Sequence, residues 1–186
     1  MTGLNMDIDP GKARWKIQTW NQDPAKPQAL YVPYFDARDV ADKLDELFRW
    51  DGWSDEITFQ ELKGSSFAVC RLTIHAHGGP TPSATTTKTD AAPLTNFEAV
   101  KGGASDAFKR AAAKLGVGRN AYAMPTFWGP CLVKGQGEKA RPTIPRGYEE
   151  RLRRMALEQI RAGTVDPEPV EDDAQPARPP VKRSGR

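Results

Sequence analysis

Three basic side chains recur at helical spacing near the middle of the chain: Lys109, Arg110 and Lys114, with Asp106 one turn before Arg110. Residues three or four apart in sequence share one face of a helix, so the pattern predicts a charged helical face. Such a face can bind an anionic partner, because clustered lysine and arginine contact phosphate groups. It can equally be a solvated surface on which Asp106 pairs with Arg110 for roughly 0.3 kcal/mol. The periodicity alone leaves both interpretations open.

The segment from Asn96 to Tyr122 is predicted to be the helix that carries this face, with a glycine-rich stop at its end. Gly102 and Gly103 would each cost about 1 kcal/mol relative to alanine inside a helix, so they indicate a close neighbour or a later helix start. Lys101 falls in the apolar stripe, from which its stem could carry the ammonium group to the edge of a groove. The other residues of the stripe would face a core: Phe97, Val100, Ala104, Ala107, Phe108, Ala111, Ala112 and Leu115.

No complete catalytic or metal-binding set accompanies the basic face. His75 and His77 share one face of a predicted strand, but no third ligand follows at a metal-binding spacing. Asp106 beside Lys109 lacks the second carboxylate or the nucleophile that a hydrolase needs. The glycines of residues 116–118 neither follow a strand nor open a helix, as a nucleotide-binding loop would. The sequence therefore predicts no enzyme, no catalytic residue, no bound metal and no cofactor.

The composition is that of one domain with long loops and a tail. Of 186 residues 38% are hydrophobic, 16 are proline and 16 are glycine. We expect no membrane association, because no apolar run could cross a bilayer and the amino terminus lacks a secretory pattern. Two isolated cysteines, Cys70 and Cys131, favour a reducing, cytoplasmic location. The net charge is only +3, so any anion site must be a local concentration of charge.

The chain before the basic helix is predicted to hold an arm, a helix and three strands. Residues 1–33 read as an irregular arm that anchors through its aromatic side chains. Asp36 reads as the N-cap of a helix over residues 37–50. Alternating residues then predict an antiparallel hairpin, with strands at 56–62 and 67–76.

In the second strand of this hairpin Arg71 would lie on the solvent face, and a threonine-rich third strand at 84–90 would carry Lys88. The order predicts an α+β fold with a β-β-β-α core, in which an antiparallel meander is packed under the long helix.

The chain after the basic helix is predicted to be irregular until an amphipathic helix at residues 147–162. Trp50, Trp53 and Trp128 are expected in core or interface packing rather than stacked on bases. Beyond Gly163 a proline-rich tail cannot bury enough to offset its ordering entropy, so we expect disorder there. The predicted division is an N-terminal arm (1–33), a core (34–135), a linker with an amphipathic helix (136–162) and a tail (163–186).

Two segments and their spacing carry a family resemblance. DELFRWDGW (residues 45–53), a hairpin and then SDAFKRAAAKLG (105–116) resemble the best-marked segments of the single-strand annealing proteins of the Rad52 family. FDARDVADKLD (35–45) and KLGVGRNAYAMP (114–125) are more similar still to the bacterial branch, the DNA-damage-response protein A (DdrA) group. The similarity covers roughly residues 15 to 130 and does not extend to the tail.

This resemblance implies a ring of subunits that holds single-stranded DNA in a positively charged groove. The family's basic pair falls on Lys109 and Arg110, and its upstream lysine on Lys101. An arginine of the family's first helix aligns with Asp39, so the neighbouring Arg38 becomes the candidate there. The complete set of candidate DNA-binding residues is Lys109, Arg110, Lys101, Lys114, Lys88, Arg119, Arg38 and Arg71.

The function implied is a non-enzymatic mediator of recombination and DNA repair that binds single-stranded DNA and anneals complementary strands. Annealing makes and breaks no covalent bond, so phosphate contacts that leave the bases free are sufficient. One alternative is a sequence-independent DNA-end-protecting protein without annealing activity. Another is a ring-shaped adaptor that contacts repair or replication proteins through the tail. Duplex DNA is a possible second partner, and a metal-dependent nuclease is a distant alternative.

Overall fold

A computed structural model describes residues 4–21, 23, 25–75, 85–94 and 99–163. Within these ranges the chain forms three helices and antiparallel sheets, an α+β arrangement. The strands are β1 (Arg14–Trp20), β2 (Gln28–Tyr34), β3 (Trp53–Leu62), β4 (Ser65–Ile74), β5 (Thr86–Pro93), β6 (Phe127–Pro130), β7 (Leu132–Lys134) and β8 (Arg141–Thr143). The helices are α1 (Ala37–Phe48), α2 (Ala99–Leu115) and α3 (Tyr148–Ala162).

The first two strands belong to a sheet with order β1-β2-β6, which we call the N-terminal sheet. The prediction of an irregular arm over residues 1–33 is therefore wrong for β1 and β2. The prediction of irregular chain after Tyr122 is wrong for β6, and also for β7 and β8, which pair with each other. Trp15 and Tyr31 are buried in the core, and the Tyr31 hydroxyl donates to the Pro130 carbonyl oxygen at 2.7 Å. The prolines between these strands suggested a loop, but long-range pairing satisfies the backbone instead.

Helix α1 begins where the sequence predicts, because Asp36 caps it. The Asp36 side chain accepts from the Arg38 backbone N–H, while Asp39 accepts from the Asp36 backbone N–H, which completes a capping box. The helix ends at Phe48, two residues earlier than predicted, where Arg49 takes a left-handed φ of 66°. Trp53 then begins β3, three residues before the predicted start of this strand at residue 56.

The predicted meander is confirmed as a sheet with order β3-β4-β5, which we call the central sheet. β3 and β4 form a hairpin through Lys63 and Gly64, whose φ values are 51° and 75°. One face of β4 is buried at Ala68, Cys70 and Leu72, so the predicted alternation is confirmed. The third strand extends to Pro93, beyond the predicted end at residue 90.

Helix α2 packs on the buried face of the central sheet through Ala107, Ala111 and Ala112. A Cβ at Gly103 would collide with Cδ2 of Leu94, so the close neighbour that the glycine indicated is present. The predicted stripe is wrong at its start, because Val100 and Lys101 are exposed. Residues 95–98, where the helix was expected to begin, lie outside the described ranges.

Helix α3 confirms the predicted helix at residues 147–162 and belongs to the core. Leu152 and Ala156 are buried, and Tyr148 stacks at a tilt on Tyr31 with ring centroids 5.3 Å apart. Gly129 allows this approach, because a Cβ there would collide with the Tyr148 side chain. Helix α3 thus covers one face of the N-terminal sheet, and α2 lies on the side of the opposite face.

Two of the three tryptophans expected in packing are exposed, Trp50 by 78% and Trp128 by 57%, whereas Trp53 packs on Phe108. His77 and the predicted tail lie outside the described ranges. Among the described helices, none has both the length and the apolar character needed to cross a membrane.

Candidate nucleic-acid interface

Two basic side chains of α2 meet at β5, an edge strand of the central sheet. Arg110 Nε donates to Asp90 Oδ1 at 3.3 Å, and Lys114 Nζ lies 3.2 Å from Asp90 Oδ2. Lys114 also donates to the Thr89 carbonyl oxygen at 2.8 Å. The two basic side chains remain 43% and 50% exposed. Helical period and strand register therefore bring two basic side chains to one carboxylate. About half of the surface of each basic side chain remains exposed to solvent.

Asp90 stays ionised at neutral pH. Burial opposes its ionisation, but the Ala91 backbone N–H, the Lys114 ammonium and the Arg110 guanidinium together hold the pKa of the carboxyl below its ordinary value. Its negative charge cancels part of the positive charge on α2. A polyanion that binds here must compete with Asp90 for Arg110 and Lys114.

Lys109 lies nearer to the N-terminal sheet. Its Nζ is 2.8 Å from Asp106 Oδ1 and 5.4 Å from the centroid of the Tyr34 ring. Lys16 on β1 approaches the same ring, with its Nζ 6.0 Å from the centroid. Burial raises the pKa of the Tyr34 phenol, although the charge of Arg14 opposes the shift. One neutral aromatic ring therefore has an ammonium group from each of two elements beside it.

These side chains line a groove of about 310 Å³ between α2 and the open face of the N-terminal sheet, which we call the α2 groove. Its polar lining includes Lys16, Gln18, Tyr34, Asp106, Lys109 and Arg110. Its apolar lining includes the buried side chains of Val32, Val40 and Val117. Cations beside aromatic and apolar surface suit a ligand that has both an anionic backbone and flat rings, as a nucleic acid single strand has.

Lys88 and Arg119 lie at the same end of α2 as Lys114. Lys88 is two residues before Asp90 on the same face of β5, and it is exposed. Arg119 donates from Nε to the Ala113 carbonyl oxygen at 2.9 Å, so it caps the last turn of α2. Arg119, Arg110 and Lys114 line a shallow depression of about 240 Å³ beside the groove.

Three further sequence candidates lie apart from this cluster. Lys101 is in the first turn of α2, eight residues and therefore about 12 Å along the axis from Lys109. Arg71 lies on the opposite face of the central sheet, where it pairs with Glu56 at 3.8 Å. Arg38 is exposed in the first turn of α1, where it acts on the pKa of Asp36. The prediction that Arg71 lies on the solvent face of β4 is confirmed, and its role in DNA binding stays a prediction.

Sequence reasoning missed Lys16 and Tyr34. The run RWKIQTW of β1 alternates polar and apolar residues, which is the signal of a half-buried strand, and Lys16 is on its polar side. Tyr34 ends β2 immediately before the helix cap Asp36. Their approach to α2 depends on pairing between residues far apart in sequence, which no local pattern reveals.

No group of three or more His, Cys, Asp or Glu side chains that could hold a metal ion occurs within the described ranges. Both cysteines are buried as free thiols. Burial raises the pKa of the Cys70 thiol to about 11, with the charge of Asp55 adding to the shift. A protonated, buried thiol is a poor nucleophile and a poor metal ligand.

Comparisons with known proteins point to one family. Residues 1–136 match the Rad52/22 family of double-strand break repair proteins. Over 131 residues, which is 70% of this chain, it is 30% identical to the single-stranded DNA-binding protein DdrA of Deinococcus radiodurans and equally to that of Deinococcus deserti. The chain spans 58% of the length of these relatives. The family match covers well over half of the chain, which therefore belongs to the Rad52/22 family of double-strand break repair proteins.

Proposed function

We propose that this chain binds single-stranded DNA through the basic side chains of α2 and the α2 groove, and that it acts in DNA repair by annealing complementary strands. The observation that carries the proposal is the position of three basic side chains of α2. Lys109 and Arg110 line the α2 groove, which contains an aromatic ring, and Lys114 lines the depression beside it. The DdrA relatives, named as single-stranded DNA-binding proteins, support the same partner.

Backbone contacts suit an annealing protein for a physical reason. Two complementary strands repel each other through their phosphates, and each folds on itself. Lysine and arginine neutralise the backbone without reading sequence, so base pairing alone decides which strands join. No bond to a substrate atom is made or broken, so the reaction needs neither a nucleophile nor a metal. We therefore assign the chain no enzymatic role.

We also propose that several copies assemble, as in a ring, so that one strand runs across equivalent α2 grooves. The net charge of +3 is small for a single nucleic-acid-binding domain, and repeated weak contacts would raise the avidity. Exposed apolar side chains on β3 support an interface between copies, because Phe59 and Leu62 are 52% and 66% exposed on an edge strand of the central sheet.

The test of the strand site is the double variant Lys109→Ala/Arg110→Ala. We expect its affinity for an oligo-dT strand, measured by fluorescence anisotropy, to fall at least tenfold, with a flatter salt dependence and an unchanged assembly mass. The matched control is Arg151→Ala/Arg154→Ala, which removes the same charge from the exposed surface of α3. Equal affinity in both double variants would mean that the strand does not follow α2.

Annealing is separated from end protection by a second assay. Two complementary labelled oligonucleotides are mixed with and without the protein, and duplex formation is followed by energy transfer. We expect faster duplex formation with the protein and loss of the acceleration in Lys109→Ala/Arg110→Ala. Tight strand binding with no acceleration would favour the alternative, a protein that covers DNA ends without annealing them.

A further inference from the structure

The turn after α2 (residues 116–120) contains two glycines with left-handed backbone angles. Gly116 and Gly118 have φ values of 110° and 68°, a region that glycine enters without a steric penalty. The chain turns there, and Arg119 comes back beside the last turn of α2. Because glycines leave a chain many alternative conformations, the position of Arg119 depends on other contacts that fix this turn.

Residues 6–8, which we call the N-terminal clasp, supply these contacts. The Gly118 backbone N–H donates to the Met6 carbonyl oxygen at 3.1 Å. The Asn120 side chain accepts from the Ile8 backbone N–H at 3.2 Å and donates from Nδ2 to the Ile8 carbonyl oxygen at 2.7 Å. One amide thus pairs with both backbone groups of one residue, as a neighbouring strand would. Ile8 is buried and lies against Gly118, where an added Cβ would be 3.1 Å from Ile8 Cδ1, so the clasp is anchored in the core.

Arg119 is oriented by the end of α2 before any ligand binds. Its Nε donates to the Ala113 carbonyl oxygen at 2.9 Å, and its Nη2 donates to the Lys114 carbonyl oxygen at 3.3 Å. A guanidinium carries five N–H donors, so these two bonds fix its plane without using all of its donors. The side chain is exposed and lines the depression beside the α2 groove. A side chain that is already ordered loses less conformational entropy when it contacts a phosphate.

We propose that Asn120 is a positioning residue of the strand site. Through the N-terminal clasp it fixes the turn after α2, and it thereby holds the Arg119 guanidinium in the depression beside the α2 groove. This inference rests on the proposed binding of single-stranded DNA along α2 and adds the contacts that prepare one of its cations. In this role neither Asn120 nor the clasp needs to touch the strand.

A double-mutant cycle separates positioning from a general loss of stability. Affinity for oligo-dT is measured by fluorescence anisotropy in a salt series for Arg119→Ala, Asn120→Ala and the double variant. We expect binding to be roughly threefold weaker in Arg119→Ala and about twofold weaker in Asn120→Ala, since one phosphate contact is lost or loosened. The double variant should bind no more weakly than Arg119→Ala, because Asn120 acts only through that side chain. Independent effects, which multiply to about sixfold in the double variant, would overturn the proposal.

Asn21→Ala is the matched control. The Asn21 side chain also joins two backbone groups, accepting from the Gln28 N–H at 2.7 Å and donating to the Lys26 carbonyl oxygen at 3.4 Å. It does so in the connection between β1 and β2, and we expect its loss to leave the affinity unchanged. The melting temperature of each variant shows whether it is folded at the temperature of the assay.

A second measurement follows the guanidinium without DNA. The Arg119 Nε–H is bonded to a carbonyl oxygen, so its NMR signal should exchange slowly with water. We expect this exchange to be at least about fivefold faster in Asn120→Ala, because a looser turn breaks the bond more often. The rate should not change in Asn21→Ala. Equal exchange rates in Asn120→Ala and the unmodified protein would also overturn the positioning role.

The two proposals fail in different ways. If the double variant at Lys109 and Arg110 weakens binding while Asn120→Ala does not, the positioning role is refuted and binding along α2 stands. The same conclusion follows if Arg119→Ala leaves the affinity unchanged while the α2 double variant weakens it. If none of these variants changes the affinity, the strand lies elsewhere and both proposals are refuted.

Discussion

At the scale of single residues, Asp90 neutralises part of the positive charge that α2 presents to a ligand. It contacts both Arg110 and Lys114 from the edge of the central sheet. We expect Asp90→Asn to bind single-stranded DNA roughly threefold more tightly at low salt, with a steeper salt dependence, because two cations lose a competing carboxylate. The measurement is fluorescence anisotropy with oligo-dT in a salt series.

Glu56→Gln is the matched control for this prediction. It removes one negative charge that also pairs with an arginine, Arg71, but on the opposite face of the central sheet. If Glu56→Gln tightens binding as much as Asp90→Asn does, the effect comes from net charge and not from the position of Asp90.

Asp90 also links stability to pH. Because its pKa is held below the ordinary value, the unfolded state binds more protons than the native state as the pH falls. The carboxylate therefore stabilises the fold above the unfolded pKa of about 3.9, and this contribution is lost as the pH falls through the lower native pKa. We expect urea unfolding to show Asp90→Asn less stable by about 1 kcal/mol at pH 7, given that its partners are half exposed. The difference should shrink below pH 4, and a constant difference across this range would contradict the assignment.

At the scale of elements, the two adjacent glycines of α2 have different surroundings. Apart from the backbone of α2 itself, a Cβ at Gly102 would have no atom of the described residues within 4 Å, whereas one at Gly103 would meet Leu94 and lie 3.5 Å from the Cβ of Ala68. We expect Gly102→Ala to raise stability by about 1 kcal/mol, which is a rise in melting temperature of roughly 3 °C. Gly103→Ala gains the same helix propensity but must displace Leu94, so its melting temperature should be lower than that of Gly102→Ala. The reverse order in a thermal scan would mean that α2 does not approach the central sheet at Gly103.

Helix α3 is part of the folded core although it follows the region matched to the family. Leu152 is buried where α3 packs on the N-terminal sheet. We expect Leu152→Ala to cost about 3 kcal/mol in urea unfolding, because the lost contacts leave a cavity. Leu132→Ala removes the same atoms from a site that is 55% exposed, and we expect it to cost less than about 0.5 kcal/mol. Similar small losses in both variants would show that α3 is only loosely attached.

Elements with strong local signals were predictable from the sequence, and those that depend on distant pairing were not. Asp36 specifies the start of α1, and alternation together with a tight turn specifies the β3-β4 hairpin. β2 was missed because Pro27 precedes it, Pro33 lies within it, and its partner β6 is about a hundred residues away. The same distinction applies to the site. The shared helical face of Arg110 and Lys114 could be predicted from the helical period, whereas the approach of Lys16 and Tyr34 to α2 depends on the tertiary fold.

At the scale of the whole molecule, the distribution of charge bears on how binding depends on strand length. A net charge of +3 and two ion pairs at Asp90 leave each copy only a weak attraction for a phosphate backbone. If copies assemble as proposed, a strand that spans several α2 grooves is held by all of them at once, and its affinity grows far more than in proportion to its length. Oligo-dT from 6 to 60 nucleotides, at fixed salt and fixed subunit concentration, provides the test. We expect affinity to rise by at least a hundredfold over this range, while particle masses from light scattering show several subunits on each long strand. Affinity that rises only in proportion to length, together with one subunit per strand, would show that each copy binds alone.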